Sequence, residues 1–370
     1  MKRLKRLALM LVAPVLALAF AVLVTSLILV ASGHAPLGVF TSMWNYGSAP
    51  DSLALTLNLA TTYYLSALAV AVGFRMNLFN IGVDGQYRLA ALIAAAVGGS
   101  LHLPAVLDVV VILVVAMLVG AGWAAIAAVL KNRRGVSEVI STIMLNYISI
   151  GVIAYLLTPD RLAVAVQGSN NIGTQPIPPN GQVPGFSVIG GAQNAVYGLI
   201  LLAVACGVAY WYLLGFTRFG YDLRATGLSP TAAVASGVNV KRMVLISMLL
   251  SGAIAGLVGM PQLLGASYTY SLDFPTGLGF TGIAIALLGR NHPVGIAFGA
   301  LLWAFLDTSR LILDLGGVSK EIVTIMQGVS VLSVVVAYEL VRRYNIAAQQ
   351  REVGRALAAE TPELVGQGTA

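Results

Sequence analysis

Pro104 to Leu130, PAVLDVVVILVVAMLVGAGWAAIAAVL, is followed at once by Lys131, Arg133 and Arg134. Apart from Asp108 the stretch is uncharged. A helix crossing a hydrocarbon core of about 30 Å needs roughly 20 apolar residues, and this run meets that length. The basic cluster behind it marks a cytoplasmic border.

The same reading extends outward in both directions. Leu7 to Ala31, Leu53 to Phe74, Ile81 to Leu101 and Glu138 to Leu157 complete the first half. Ala195 to Phe216, Met243 to Ala266, a short Gly277 to Gly289, Pro293 to Leu313 and Glu321 to Val341 form the second. The sequence predicts an all-α polytopic membrane protein with about ten transmembrane helices in two related halves. Composition agrees: 58% hydrophobic and 9% charged residues, against about 45 to 50% and about 25% in globular chains. The Leu7 to Ala31 run is too long for a signal-peptide core and reads as a retained first helix.

Charge tests the sidedness. With the N-terminus inside, every one of the 21 Lys and Arg except Arg161, Arg310 and Lys320 falls on the cytoplasmic side, Arg75 and Arg88 included. Ten spans bring the C-terminus to that same cytoplasmic side. Residues 1–342 then form the transmembrane domain and 343–370 a cytoplasmic tail, with a short helix around Gln349 to Leu357 and fraying elsewhere. The net charge of +7 is too scattered for a nucleic-acid surface.

Enzyme chemistry is not encoded. His34, His102 and His292 are far apart, no HExxH or GxSxG pattern occurs, and no lysine follows a glycine as in a Walker A loop. Cys206 is the single cysteine, so neither an internal disulfide nor a CxxC metal site is available. No catalytic residue, metal or cofactor is expected, and any ATP hydrolysis belongs to another chain.

Two segments interrupt the apolar pattern. Gly73 to Arg88 reads GFRMNLFNIGVDGQYR, with Asn77, Asn80, Asp84 and Gln86 spaced by glycines. Its counterpart, Gly277 to Gly295, is GLGFTGIAIALLGRNHPVG. Polar groups at membrane depth persist where protein or cavity water satisfies them, so Asn77, Asn80, Gln86, Phe280 and Thr281 are candidates for a solute path. The alternative is a pair of tight turns whose amides only satisfy backbone. Asn146 is a further path candidate, or an interhelical hydrogen-bonding residue. Tyr63, Tyr64 and Phe280 either stack on a planar solute or pack at interfaces. Glu138 reads as a structural acid beside Arg133 and Arg134, and Asp108, Asp307 and Arg310 as groups at outer span ends within reach of water.

Between Phe216 and Arg242 lies a short helix of small residues. Ser229 caps it, Pro230 opens it, Ala232, Ala233 and Ala235 form its body, and Gly237 suits its left-handed end. It either rests on its own membrane domain or seats in a groove of a cytosolic partner. The Pro- and Gly-rich loop Thr158 to Asn194, which includes Ser169, is expected outside; composition does not decide whether it is ordered.

These residues carry a resemblance. Asn77 to Gln86 (NLFNIGVDGQ), Ser137 to Tyr147 (SEVISTIMLNY), Ala232 to Val238, Ser251 to Gly259 (SGAIAGLVG) and Gly279 to Pro293 are similar to blocks of bacterial ABC importer permeases. The likeness is to the branched-chain amino acid and simple-sugar superfamily, nearest its nucleoside and simple-sugar branch, and spans Leu53 to Val341. That family usually has Glu where Asp84 stands and often Asn where Ser229 stands.

The resemblance implies a permease subunit in a bacterial inner membrane that moves a small polar solute, nucleoside or sugar, by alternating access. It implies a second permease subunit, two cytosolic ATPase subunits and an extracytoplasmic solute-binding receptor. The small-residue helix would couple to the ATPase. The competing classes are an ion-coupled secondary transporter, which needs an ionisable group deep in a span, and a polytopic membrane enzyme.

Overall fold

A computed structural model describes residues 2–166 and 170–366 of the chain; Ser169 lies outside them. Six helices fill the first half: α1 (Lys2–Ala31), α2 (Pro36–Gly47), α3 (Pro50–Phe74), α4 (Val83–Ser100), α5 (Ala105–Arg134) and α6 (Glu138–Leu156). Beyond the long loop come α7 (Ile200–Phe216), α8 (Arg218–Leu228), α9 (Pro230–Ala235), α10 (Val240–Leu257) and α11 (Met260–Gln262). The last four are α12 (Leu278–Leu288), α13 (Pro293–Thr308), α14 (Arg310–Leu315) and α15 (Glu321–Gly366).

Among the described residues, six spans are long and apolar enough to cross a membrane, and up to eight if the bent pairs α1/α2 and α7/α8 each count as one. The chain is therefore a multi-pass helical membrane protein. The other two of the ten expected segments, α4 and α12, are helical but differ from ordinary spans for physical reasons. α4 carries Asp84, Gln86 and Arg88 in its first two turns, and α12 has only 11 residues.

Two compact units divide the chain: Met1–Phe40 with Asp314–Ala370, and Thr41–Leu313. In the first, α1 packs along α15. The α15 backbone stays helical to Gly366, where a short helix and fraying were expected. The Ala, Gln, Glu, Arg and Leu of this tail are strong helix formers, which accounts for the continuity.

The second unit is built around α3. Every residue from Leu65 to Gly73 is buried, because α3 packs against α7, α10, α12 and α13. α5 crosses α10 on glycine: a Cβ on Gly120 would lie 2.2 Å from the Gly252 carbonyl, and one on Gly256 2.0 Å from the Ala116 carbonyl. Small residues at a helix crossing in lipid let the backbones touch. Glu138 pairs with Lys131 rather than with Arg133 or Arg134.

The described part of the loop from Thr158 to Asn194 is ordered and pinned. Its strands Val164–Ala165 and Ile172–Gly173 pair antiparallel, Thr174 and Ile177 donate to the Tyr270 and Tyr268 carbonyls at 2.9 and 2.8 Å, and Val183 donates to Leu264 O at 2.9 Å. The buried Asn58 amide clamps the loop's end, donating to Ala195 O at 3.0 Å and accepting from Tyr197 N at 2.8 Å. Asp108, expected at an outer span end within reach of water, is not so placed. Asp108 is fully buried beneath this loop, its carboxylate without a hydrogen-bond partner among the described residues. Asp307 accepts from Tyr63 Oη at 2.7 Å and pairs with Arg310.

Candidate functional site

The first interrupted segment folds back on itself through one amide. Asn80 donates from Nδ2 to Gln86 Oε1 at 2.9 Å and to Ser251 Oγ at 2.8 Å. Its Oδ1 accepts from Gly82 N at 3.1 Å and Gln86 Nε2 at 2.9 Å. Ser251 in turn donates to Ala69 O on α3 at 2.6 Å. Asn80 and Gln86 are 1% and 0% exposed, so their hydrogen-bonding capacity is spent on each other and on the loop. Asn146 does the same work from α6, accepting from Gly85 N at 2.9 Å and donating to Ile81 O at 2.9 Å. The approach is close at Gly85, where a Cβ would lie 2.6 Å from Ser149 Oγ and 2.9 Å from Asn146 Oδ1. The structure thus brings Asn80, Gln86 and Asn146 together around the start of α4.

The second interrupted segment packs against the first. After α10 and α11 the chain passes through a π-helical turn, Leu263–Ser267, and then runs non-helically to Gly277. π-turns mark irregular, often functional, stretches of helix. α12 then starts at Leu278 and spans about 16 Å at 1.5 Å per residue, half of a membrane. Its first turn is seated on α4 and α3: Gly279 N donates to Asp84 Oδ1 at 3.4 Å, and Ser66 Oγ to Leu278 O at 2.7 Å. A Cβ on Gly279 would lie 2.5 Å from Asp84 N, so only glycine admits this approach. Tyr87 Oη reaches Pro275 O at 2.7 Å. Phe280 is 56% exposed and Thr281 partly so, which sets both on an open side of this half-helix.

Asn77 stands apart from the other path candidates. It has left-handed backbone (φ 58°) and reaches toward Gly227 O at 3.5 Å. The end of α8 sits directly on this turn: a Cβ on Gly227 would lie 2.8 Å from Arg75 O and 3.0 Å from Met76. Arg75 then joins the two interrupted segments, donating from Nη2 to Asn291 O at 2.8 Å beside Tyr210 Oη, which donates to the same carbonyl at 2.8 Å. Arg290 and Asn291 are also left-handed, at φ 54° and 55°. Sequence reasoning missed Arg75 and Tyr210 as a junction, because nothing in their spacing relates them.

α9 leaves Gly227 as a rigid knob capped at both ends. Ser229 Oγ accepts from Ala232 N at 3.3 Å and Pro230 occupies the first turn. At the other end Gly237 is left-handed (φ 81°), Val238 N bonds Ala233 O at 2.9 Å and Gly237 N bonds Val234 O at 2.9 Å, the double closure of a Schellman motif. Ala233 is the buried residue of the helix, 2% exposed, while Ala232, Val234 and Ala235 are exposed. Ala233 therefore anchors α9 to its own chain, a different task from the partner contact expected of it.

A groove of about 610 Å³ between α3, α7 and α13, lined by Tyr64, Ala203, Gly207, Trp211, Val294 and Phe298 among others, is almost wholly apolar. It offers a hydroxyl-bearing solute little to bond, so the polar ground around α4 and the start of α12 is the better candidate. Among the described residues no cluster of His, Cys, Asp and Glu is arranged for a metal.

The family described as branched-chain amino acid transport system / permease component matches residues 52–335. The chain belongs to this permease family. It is 33% identical over 340 residues to the guanosine ABC transporter permease protein NupP of Bacillus subtilis, covering 91% of this chain and 96% of that one. It is 29% identical to the nucleoside ABC transporter permease protein NupB of Lactococcus lactis, over 88% of this chain and 90% of the relative. It is 31% identical to the glucose ABC transporter permease protein TsgB13 of Haloferax volcanii, over 90% and 89%. The first two organisms each contribute a second such chain, NupQ and NupC. No solved structure matches. The chain is a permease, not an enzyme, and its relatives include both nucleoside and sugar permeases.

Proposed function

We propose that the chain is the membrane subunit of an ATP-driven ABC importer that moves a nucleoside, or next a simple sugar, across a bacterial inner membrane into the cytoplasm by alternating access. The observation that carries this is the connection from α9 to both interrupted segments. A doubly capped exposed helix is of little use to a protein that works alone, and the end of α8 that carries it, at Gly227, rests on Arg75 and Met76. Arg75 in turn holds Asn291 at the end of α12. A cytosolic ATPase pushing on Ser229, Pro230, Ala232, Ala235 and Gly237 would thus move both segments together, with Ala233 as the anchor.

In this reading the solute passes beside the first turn of α12, with Phe280 and Thr281 facing it. Asn80, Gln86 and Asn146 hold the start of α4 rigid beside it, and Asn77 belongs to the coupling turn. The second permease subunit is a related chain, as the paired relatives from two bacteria suggest. Two ATPase subunits and an extracytoplasmic receptor complete the assembly, with α9 and both termini on the cytoplasmic side and the pinned loop toward the receptor. The ion-coupled alternative is not favoured by any observation. The test is ATP hydrolysis by the reconstituted complex: receptor loaded with nucleoside is expected to raise it several-fold over empty receptor, and a rate indifferent to both would overturn the reading.

A further inference from the structure

The apolar groove between α3, α7 and α13 suits no hydroxyl-bearing solute, yet its two ends differ in a telling way. At about 610 Å³ it falls within the ~300 to 1,000 Å³ of a small-ligand site. Its lining on α7 runs from Ile200 to Trp211, about 16 Å at 1.5 Å per residue. Val204, Val208 and Phe298 on its rim are exposed and apolar, a surface as compatible with lipid tails as with other side chains. Polarity enters at one end. Trp211 and His292 line the groove there, and their chain neighbours Tyr210 and Asn291 are the two residues that Arg75 holds, donating to Tyr210 Oη at 3.5 Å and Asn291 O at 2.8 Å. Arg75 is half-buried, and none of the ion pairs among the described residues includes it. A guanidinium at the border of a span is costly without a counter-charge. Trp211 and Tyr212, exposed at the same end of α7, are residues of the kind that settles at headgroup level. The groove therefore has a hydrocarbon body and a cationic end at headgroup depth.

We infer that this groove binds one anionic phospholipid, with an acyl chain between α7 and α13 and the phosphate at Arg75 and His292. Arg75 Nη1 donates to nothing among the described residues, and a guanidinium pairs well with phosphate oxygens. His292, exposed at the groove's edge, brings a ring N–H to the same end. A zwitterionic headgroup carries its own cation and offsets Arg75 less, so a lipid of net negative charge is favoured. An apolar helix of the partner permease would fill the groove and leave Arg75 without its counter-charge, which is why lipid is the better occupant. The inference stands on the membrane-spanning fold and not on the direction or energy source of transport.

The test is native mass spectrometry of the permease purified with its partner chains, delipidated in detergent and titrated with phosphatidylglycerol or phosphatidylcholine of the same acyl chains. The wild type is expected to hold one phosphatidylglycerol per copy of this chain in a saturable site, and phosphatidylcholine about fivefold more weakly, the factor expected of one basic residue near an anionic headgroup. Ala297→Phe places a ring in the groove and should lose saturable binding of both lipids, whereas Arg75→Gln should hold the two about equally. In a parallel titration, phosphatidylglycerol brominated in its chains should quench a component of the tryptophan fluorescence that Trp211→Phe lacks. The groove variants leave Arg75 in place, so they decide the matter even where Arg75→Gln does not assemble. A wild type without a saturable lipid, which is what a groove closed by the partner permease would give, overturns the inference. So does a wild type that holds both lipids equally, saturable binding that survives in Ala297→Phe, an Arg75→Gln that keeps the preference, or quenching unchanged in Trp211→Phe.

Discussion

Replacing Asn80 with leucine separates a residue that holds the fold from one that touches solute. The side chain satisfies Gln86 at both ends of its amide, accepts from Gly82 N and donates to Ser251 Oγ. In Asn80→Leu, Ser251 keeps its bond to Ala69 O, but the Gln86 amide and the Gly82 N–H are left buried without their partners. At about 1 to 3 kcal/mol for each buried group so stranded, the cost is about 2 to 6 kcal/mol, a large fraction of the ~5 to 15 kcal/mol that typically holds a domain folded. Gln86→Leu leaves Asn80 with Gly82 and Ser251, so it should cost about 1 to 3 kcal/mol. The assay is the fraction of complex that survives heating in detergent, read by size exclusion. Asn80→Leu should fall well below Gln86→Leu, and Gln86→Leu below wild type. An Asn80→Leu complex of wild-type heat resistance but altered solute preference would refute the argument and move Asn80 onto the path.

Three further outcomes follow from the geometry. Val234, 60% exposed on α9, replaced by Trp should cut ATPase association at least tenfold with the permease still assembled, whereas Ala233→Trp should lower permease yield. Full transport by Val234→Trp would refute docking on α9. Gly256→Leu forces a side chain into the Ala116 carbonyl and should cost at least about 1 to 3 kcal/mol, read as a lowered melting temperature; an unchanged one would refute the α5–α10 crossing. Ser187, exposed on the long loop, changed to Cys in a Cys206→Ser background should react with an impermeant maleimide from outside intact cells. Labelling only after lysis would reverse the proposed orientation.

Much of the architecture is legible in hydrophobic runs, because a membrane helix announces itself by length and lack of charge. The short Gly277 to Gly289 run already signals a half-length helix, and the Ser229, Pro230 and Gly237 spacing signals both ends of α9. What the sequence hides is pairing across distance. Asn80 looks like a path residue until Gln86 and Ser251 are seen to exhaust it, and Ser251 is 171 residues away. Asp108 looks accessible at a span end until the outer loop is seen to cover it. Arg88 is counted with the cytoplasmic charges although it lies within the Ile81 to Leu101 run, and the fold sets it in the second turn of α4. Arg75 carries no local signal, since its partners lie in α7 and after α12.

In the proposed function, ATP hydrolysed by partner chains drives solute through this permease. Radiolabelled nucleoside uptake should be measured in proteoliposomes holding the complete complex, with receptor and solute outside, ATP inside, and proton and sodium gradients collapsed by ionophores. Accumulation is expected to require ATP and to be lost when the Val234→Trp permease replaces the wild type. Uptake that proceeds without ATP and follows an imposed proton or sodium gradient would contradict it.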